Sequence, residues 1–128
     1  MRVLLDTHTL VWATVSPKLL SVKSAEIISE KSTIVFVSAA SAWEIATKVR
    51  IGKFPEARNL ENNFLETMRI AGYHLLSIDA ALALRAARLP GAHRDPFDRI
   101  IAAHALAEDI PIISADTRLD AFGIRRLW

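Results

Sequence analysis

The sequence predicts an α/β fold in three layers: a central parallel sheet of four to five strands, covered by helices on both faces. Two observations carry this. Four short runs rich in Val, Ile and Leu ("RVLLD", "TIVFVS", "YHLLSI" and "IPIISAD") alternate with longer stretches of helical period. Each run is also apolar at successive positions, the pattern of a strand buried on both sides rather than one.

The elements follow in order. "RVLLD" reads as the first strand, and "HTLVWATV" as a short helix after it. "SPKLLSVKSAEIISEK" breaks at Pro17 and then runs helical, with Ala25, Ile27 and Ile28 inward and Lys23, Glu26 and Glu30 outward. "TIVFVS" is the second strand. "SAASAWEIATKVRIG" is a helix stopped by Gly52, and "NLENNFLETMRIAG" another, stopped by Gly72. "YHLLSI" is the third strand. "DAALALRAARLP" is a helix with Asp79 as its N-cap and Pro90 beyond its end. "DPFDRIIAAHALAED" is the last long helix, "IPIISAD" the fourth strand and "IRRLW" a short fifth. No repeat, low-complexity run or linker interrupts the chain, so residues 1–128 read as a single domain.

Composition narrows the functions. The chain is 52% hydrophobic and 23% charged, enough to bury a proper core. It has no cysteine, which removes disulfides, thiolate metal sites and cysteine nucleophiles, and fits a cytoplasmic location. Asp6 and His8 break the opening apolar run, so it does not read as a signal peptide, and no run approaches a membrane span. A net charge of +2 is compatible with a polyanion partner without requiring one. There is no P-loop, no G-x-G-x-x-G, no G-x-S-x-G and no H-E-x-x-H.

Five acids sit among apolar neighbours: Asp6, Glu44, Asp95, Asp98 and Asp116. Each has an ordinary structural reading. Asp6 and Asp116 can cap the turns that follow them. Glu44 completes a capping box with Ser41, or pairs with Lys48 one turn on. Asp95 caps a helix that has Pro96 at its first position, with Asp98 in the first turn. Jointly they point elsewhere. A parallel sheet sends strand ends and helix starts to one edge, where sites form. Asp6, Glu44, Asp98 and Asp116 then converge, and four carboxylates in one hollow repel unless a cation joins them. Mg²⁺, with Mn²⁺ as a substitute, suits such oxygen donors. His8 and His104 can approach the same edge, although packing or surface roles are commoner for such histidines.

These residues resemble the PIN-domain family, and within it the VapC-type toxins of toxin–antitoxin pairs. "LLDTHTLVW" is similar to the family's opening strand. "VSAASAWEIATKVRIGKF", "DPFDRIIAAHA" and "IPIISADTRLDAF" are similar to its later segments, in order and over nearly the whole chain. The usual D-T-N opening is D-T-H here, with His8 in the third place. The resemblance implies a PIN-like fold and a metal-dependent endoribonuclease that hydrolyses phosphodiester bonds of transfer or ribosomal RNA and so stops translation. Asp6, Glu44, Asp98 and Asp116 would carry the chemistry, with Asp95 and His8 as accessory candidates. It also implies a small cognate antitoxin and a homodimer, with no membrane association. Lys48, Arg50, Lys53, Arg94, Arg99 and Arg118 are candidates to meet the charge of RNA. Two rivals stand beside this reading. A haloacid-dehalogenase-like phosphatase fails, because its second Asp would fall at His8. A non-catalytic PIN-like binding or scaffold module with an acidic metal pocket is disfavoured by the presence of all four acids.

Overall fold

A computed structural model describes all 128 residues. Five parallel strands, β1 (Arg2–Leu5), β2 (Ile34–Ser38), β3 (His74–Leu76), β4 (Ile112–Ile113) and β5 (Arg126–Leu127), form one sheet in the order β3-β2-β1-β4-β5. The expected parallel α/β architecture is therefore present, at the upper end of the expected strand count. In the central strand β1, Val3, Leu4 and Leu5 are all buried, which is why it reads as a continuous apolar run.

The helices are α1 (Thr7–Val15), α2 (Val22–Ser29), α3 (Ala39–Arg50), α4 (Arg58–Asn62), α5 (Phe64–Ala71), α6 (Ala80–Arg88) and α7 (Pro96–Glu108). Two apolar clusters flank the sheet. Leu10, Ile45, Leu60, Phe64 and Met68 pack with Val3, Leu5 and Ile113 on one side. Ile101, Ala102, Ala105, Leu119 and Phe122 pack with Leu4 and Ile112 on the other. Side chains alternate along β1 and serve both clusters, as strand geometry requires.

Two local expectations are corrected. The stretch "NLENNFLETMRIAG" is two helices, α4 and α5, broken at Asn63, whose own side chain donates to Asn59 O at 3.0 Å. A polar side chain that bonds nearby backbone competes with the helix ladder. Second, α3 starts earlier than a Ser41 capping box requires. Ser38 is its N-cap, accepting from Ala40 N at 3.0 Å, while Ser41 is buried and bonded to Thr7 across the α1–α3 contact at 3.0 Å. Gly72 ends α5 with φ +72°, the left-handed conformation that favours glycine.

Candidate active site

The site grows from the carboxyl ends of β1 and β4, which lie side by side. Asp6 follows β1 and is only 5% exposed. It does cap α1: its Oδ1 accepts from Thr9 N at 2.8 Å. Its other oxygen accepts from the Ser114 hydroxyl. Burial raises the Asp6 carboxyl above its ordinary range, and the Ser114 and Thr9 hydrogen bonds oppose that. Ser114 Oγ also accepts from Asp116 N at 2.9 Å. One serine hydroxyl thus links the acids that end β1 and β4. Sequence reasoning missed Ser114; its only signal is a small polar residue straight after "II".

Asp116 opens the 3₁₀ turn over Thr117–Phe122. Arg118 covers it, with a guanidinium nitrogen 3.0 Å from Oδ1 and another 2.8 Å from Oδ2. These hydrogen bonds hold the Asp116 carboxyl below its ordinary range.

Asp98 lies one turn into α7. Asp95 is the N-cap, as the Pro96 position implies: its Oδ1 accepts from Phe97 N at 2.9 Å and Asp98 N at 3.2 Å. Asp98 points into the hollow, on the face of α7 that also carries buried Ala102 and Ala105. Its carboxyl is raised to about 6 by burial first, then by the charges of Asp95 and Glu44, against the lowering effect of a hydrogen bond to His93. His93 Nε2 is 2.7 Å from Asp98 Oδ2. Ligand atoms of His93, Asp98 and Asp116 all lie within 4.8 Å of one another. No motif in the sequence singles out His93, which stands alone in "GAHRDP".

Glu44, from α3, is 3% exposed. Its Oε2 accepts from Lys48, as the i,i+4 spacing suggested, while its Oε1 is buried with no hydrogen-bond partner. A buried carboxylate oxygen without a partner is costly unless another group completes it. Asp6 and Glu44 stand just outside the tight trio: Asp6 joins through Ser114, and Glu44 is close enough for its charge to act on Asp98. Four carboxylates at one sheet edge, with an orphaned oxygen and a raised acid among them, form a donor set that fits a hard divalent cation.

The other candidates divide. Arg50, Lys53 and Arg94 are exposed and free to meet a polyanion. Lys48 is on Glu44, and Arg118 on Asp116. Arg99 is partly buried and already engaged by backbone carbonyls. Its guanidinium donates to His93 O at 3.0 Å, to Leu89 O and to Ala87 O at 3.3 Å, and lies 5.4 Å from the Phe122 ring centre. Carbonyls left by the irregular 89–95 connection draw it inward, because each needs a donor. His8 is exposed and near enough to lower the Asp6 carboxyl, with its ring edge-on to Phe54 at 5.2 Å. His104 does not reach the site: it is buried beside the α6–α7 cleft with Asp79 and Glu108. Trp43 is 55% exposed and packs edge-on against Phe97 at 4.7 Å. Each is the chain neighbour of a site acid, Glu44 and Asp98 respectively, and the pair bridges α3 and α7.

The PIN domain pattern matches residues 3–124. No curated protein matches the chain at the level of sequence. Among solved structures, VapBC2 from Rickettsia felis, bound to a DNA fragment from its promoter, superposes with TM-score 0.69 at 15% identity, covering 99% of this chain and 98% of that one. VapC20 of Mycobacterium tuberculosis, a sarcin–ricin loop cleaving toxin, gives 0.66 at 17% identity, covering 95% of each chain. FitAcB from Neisseria gonorrhoeae gives 0.64 at 19% identity, covering 98% of this chain and 96% of that one.

Proposed function

Because the chain belongs to the PIN domain family, we propose that it is a metal-dependent endoribonuclease and the toxin of a toxin–antitoxin pair. The observation that carries the reading is the gathering of acids at this sheet edge, above all Glu44, whose Oε1 is buried without a partner and whose charge acts on Asp98. An acidic hollow of this kind has little use to a protein that only binds RNA, since it repels phosphate unless a cation intervenes.

Asp6, Asp98 and Asp116 would hold Mg²⁺ or Mn²⁺ directly or through water, with Glu44 as a further ligand or as the group that orients the attacking water. A divalent cation there supplies Lewis acidity toward the scissile phosphate and lowers the pKa of water beside it. The chain's own residues do the rest. Ser114 fixes the Asp6 carboxylate against rotation, and Lys48 fixes one oxygen of Glu44. Arg118 neutralises Asp116 in the free protein and must yield that carboxylate on loading; its released guanidinium, 69% exposed, is then free for phosphate. Arg50, Lys53 and Arg94 would meet the backbone, and Trp43 on Phe97 offers a face for a base to stack on.

The solved neighbours that hold VapB or FitA alongside the toxin support a small cognate antitoxin for this chain. A transfer or ribosomal RNA target is part of the same proposal, as is a homodimer. Trp12 is half-buried against Trp128 at 5.7 Å, so it is packing rather than a free anchor, whereas Leu19 and Val22, later in the same N-terminal segment, are 52% and 76% exposed. Sedimentation at tens of micromolar should give a dimer; a monomer alone contradicts that part. To test the function, the chain is induced in cells and RNA 5′ ends are sequenced. New ends at discrete sites should appear with the parent and not with Asp6→Asn. Identical end profiles for the two would refute the toxin reading.

A further inference from the structure

We propose that His93 is a nitrogen ligand of the cation at this centre, held in register by the grip of Arg99 on its loop. This rests on the metal-centre reading above and adds to it a donor and a metal preference.

The geometry is specific. The His93 side chain is only 11% exposed, and its ring stands 5.8 Å from that of Phe122. Its ligand nitrogen and one carboxylate oxygen each of Asp98 and Asp116 all lie within 4.8 Å of one another, close enough to share one ion. Glu44 stands just outside this grouping but acts on Asp98 by its charge, and its buried, unpartnered Oε1 is a separate sign that a positive group belongs among these acids. In the free protein the imidazole and Asp98 satisfy one another at 2.7 Å. In the loaded protein the neutral ring would bind through Nε2, with its proton on Nδ1, and Asp98 would turn its oxygen to the same ion.

The loop that presents His93 has no regular structure, so something must hold it. Arg99 does so from the first turn of α7. Its planar guanidinium takes the carbonyls of Ala87, Leu89 and His93 together, which fixes both ends of the connection between α6 and α7. Gly91 is at φ +115°, with Ala121 and Phe122 3.7–3.8 Å from where a Cβ would stand, so the loop also lies close against the 3₁₀ turn that follows Asp116. His93 is therefore placed from three directions rather than carried on a free loop. An imidazole among carboxylates favours Mn²⁺ over Mg²⁺, because Mg²⁺ prefers an all-oxygen shell.

The test is pulsed electron paramagnetic resonance (ESEEM) of Mn²⁺ bound to the full chain, together with calorimetric Mn²⁺ and Mg²⁺ titrations. Coupling to a histidine nitrogen is expected in the parent, shifting on ¹⁵N-histidine labelling. It should persist in His8→Gln and vanish in His93→Gln, and Arg99→Lys should weaken it. His93→Gln should bind Mn²⁺ about 10- to 100-fold more weakly, by analogy with losses at metal-orienting residues, and Mg²⁺ with a smaller loss. Mn²⁺ bound without nitrogen coupling overturns His93 ligation while leaving the acidic metal centre intact. No Mn²⁺ binding overturns both. Where His93→Gln fails to fold, the labelled parent and His8→Gln decide the matter by the same coupling.

Discussion

Replacing Asp98 with Asn should stabilise the metal-free protein while removing its activity. Asp98 is held near 6 instead of 3.8, chiefly by burial and then by Asp95 and Glu44. The difference corresponds to about 3 kcal/mol at 1.36 kcal/mol per unit. The side chain is 14% exposed, and a carboxamide keeps a partner in His93, so a net gain of about 1–2 kcal/mol is a fairer figure. The sign follows from linkage. The folded state holds the Asp98 proton more tightly than the unfolded chain, so parent stability falls as pH rises from about 4 through about 6. The variant lacks that loss. In chelator at pH 7.5 its melting temperature should exceed the parent's by roughly 3–8 °C for a domain of this size, and the gain should shrink toward nothing at pH 4. Melting curves of both proteins at the two pH values are the assay. A variant no more stable than the parent at pH 7.5, or a gain undiminished at pH 4, refutes the reasoning.

Asp95→Ala should cost about 1 kcal/mol in denaturant unfolding, the usual loss for an N-cap, with much of the cleavage kept; a dead but fully stable variant would move Asp95 into the chemistry. Ser114→Ala should destabilise by about 1–3 kcal/mol at neutral pH, since it strips a donor from a buried carboxylate, and chemical denaturation with an unchanged midpoint would show that the Asp6 contact is dispensable. Trp43→Ala, placed on an Asp116→Asn background so that RNA survives, should weaken single-stranded RNA binding by about 1–3 kcal/mol in fluorescence anisotropy. Equal affinity would remove the stacking role.

What the sequence conveyed well was whatever depends on local periodicity. Buried strands such as "VLL" and "IVFVS" and the Pro96 helix start have strong one-dimensional signatures, and all form where expected. The convergence of Asp6 and Asp116 followed from topology, because successive parallel strands end at the same edge. The roles that local pattern does not reveal act across distance. Ser114 matters through a bond to a residue 108 positions away, and Arg99 through carbonyls up to 12 positions away, neither of which leaves a pattern in the chain. His93 lies in an irregular loop whose path is set by that arginine and by Phe122, so no spacing rule could place its ring. The Asn63 break fell between two half-helices with compatible periods, and period alone could not separate them.

If the acids at this sheet edge cut RNA through a divalent cation, cleavage must depend on that cation. The direct measurement is cleavage of a defined RNA pool by the purified chain, first in EDTA and then with Mg²⁺ or Mn²⁺ restored, for the parent and for Asp116→Asn. No cleavage is expected in EDTA, recovery on adding either ion with Mn²⁺ the more effective, and no recovery in Asp116→Asn. Cleavage that persists in EDTA, or an Asp116→Asn protein that cuts as well as the parent, would contradict that mechanism.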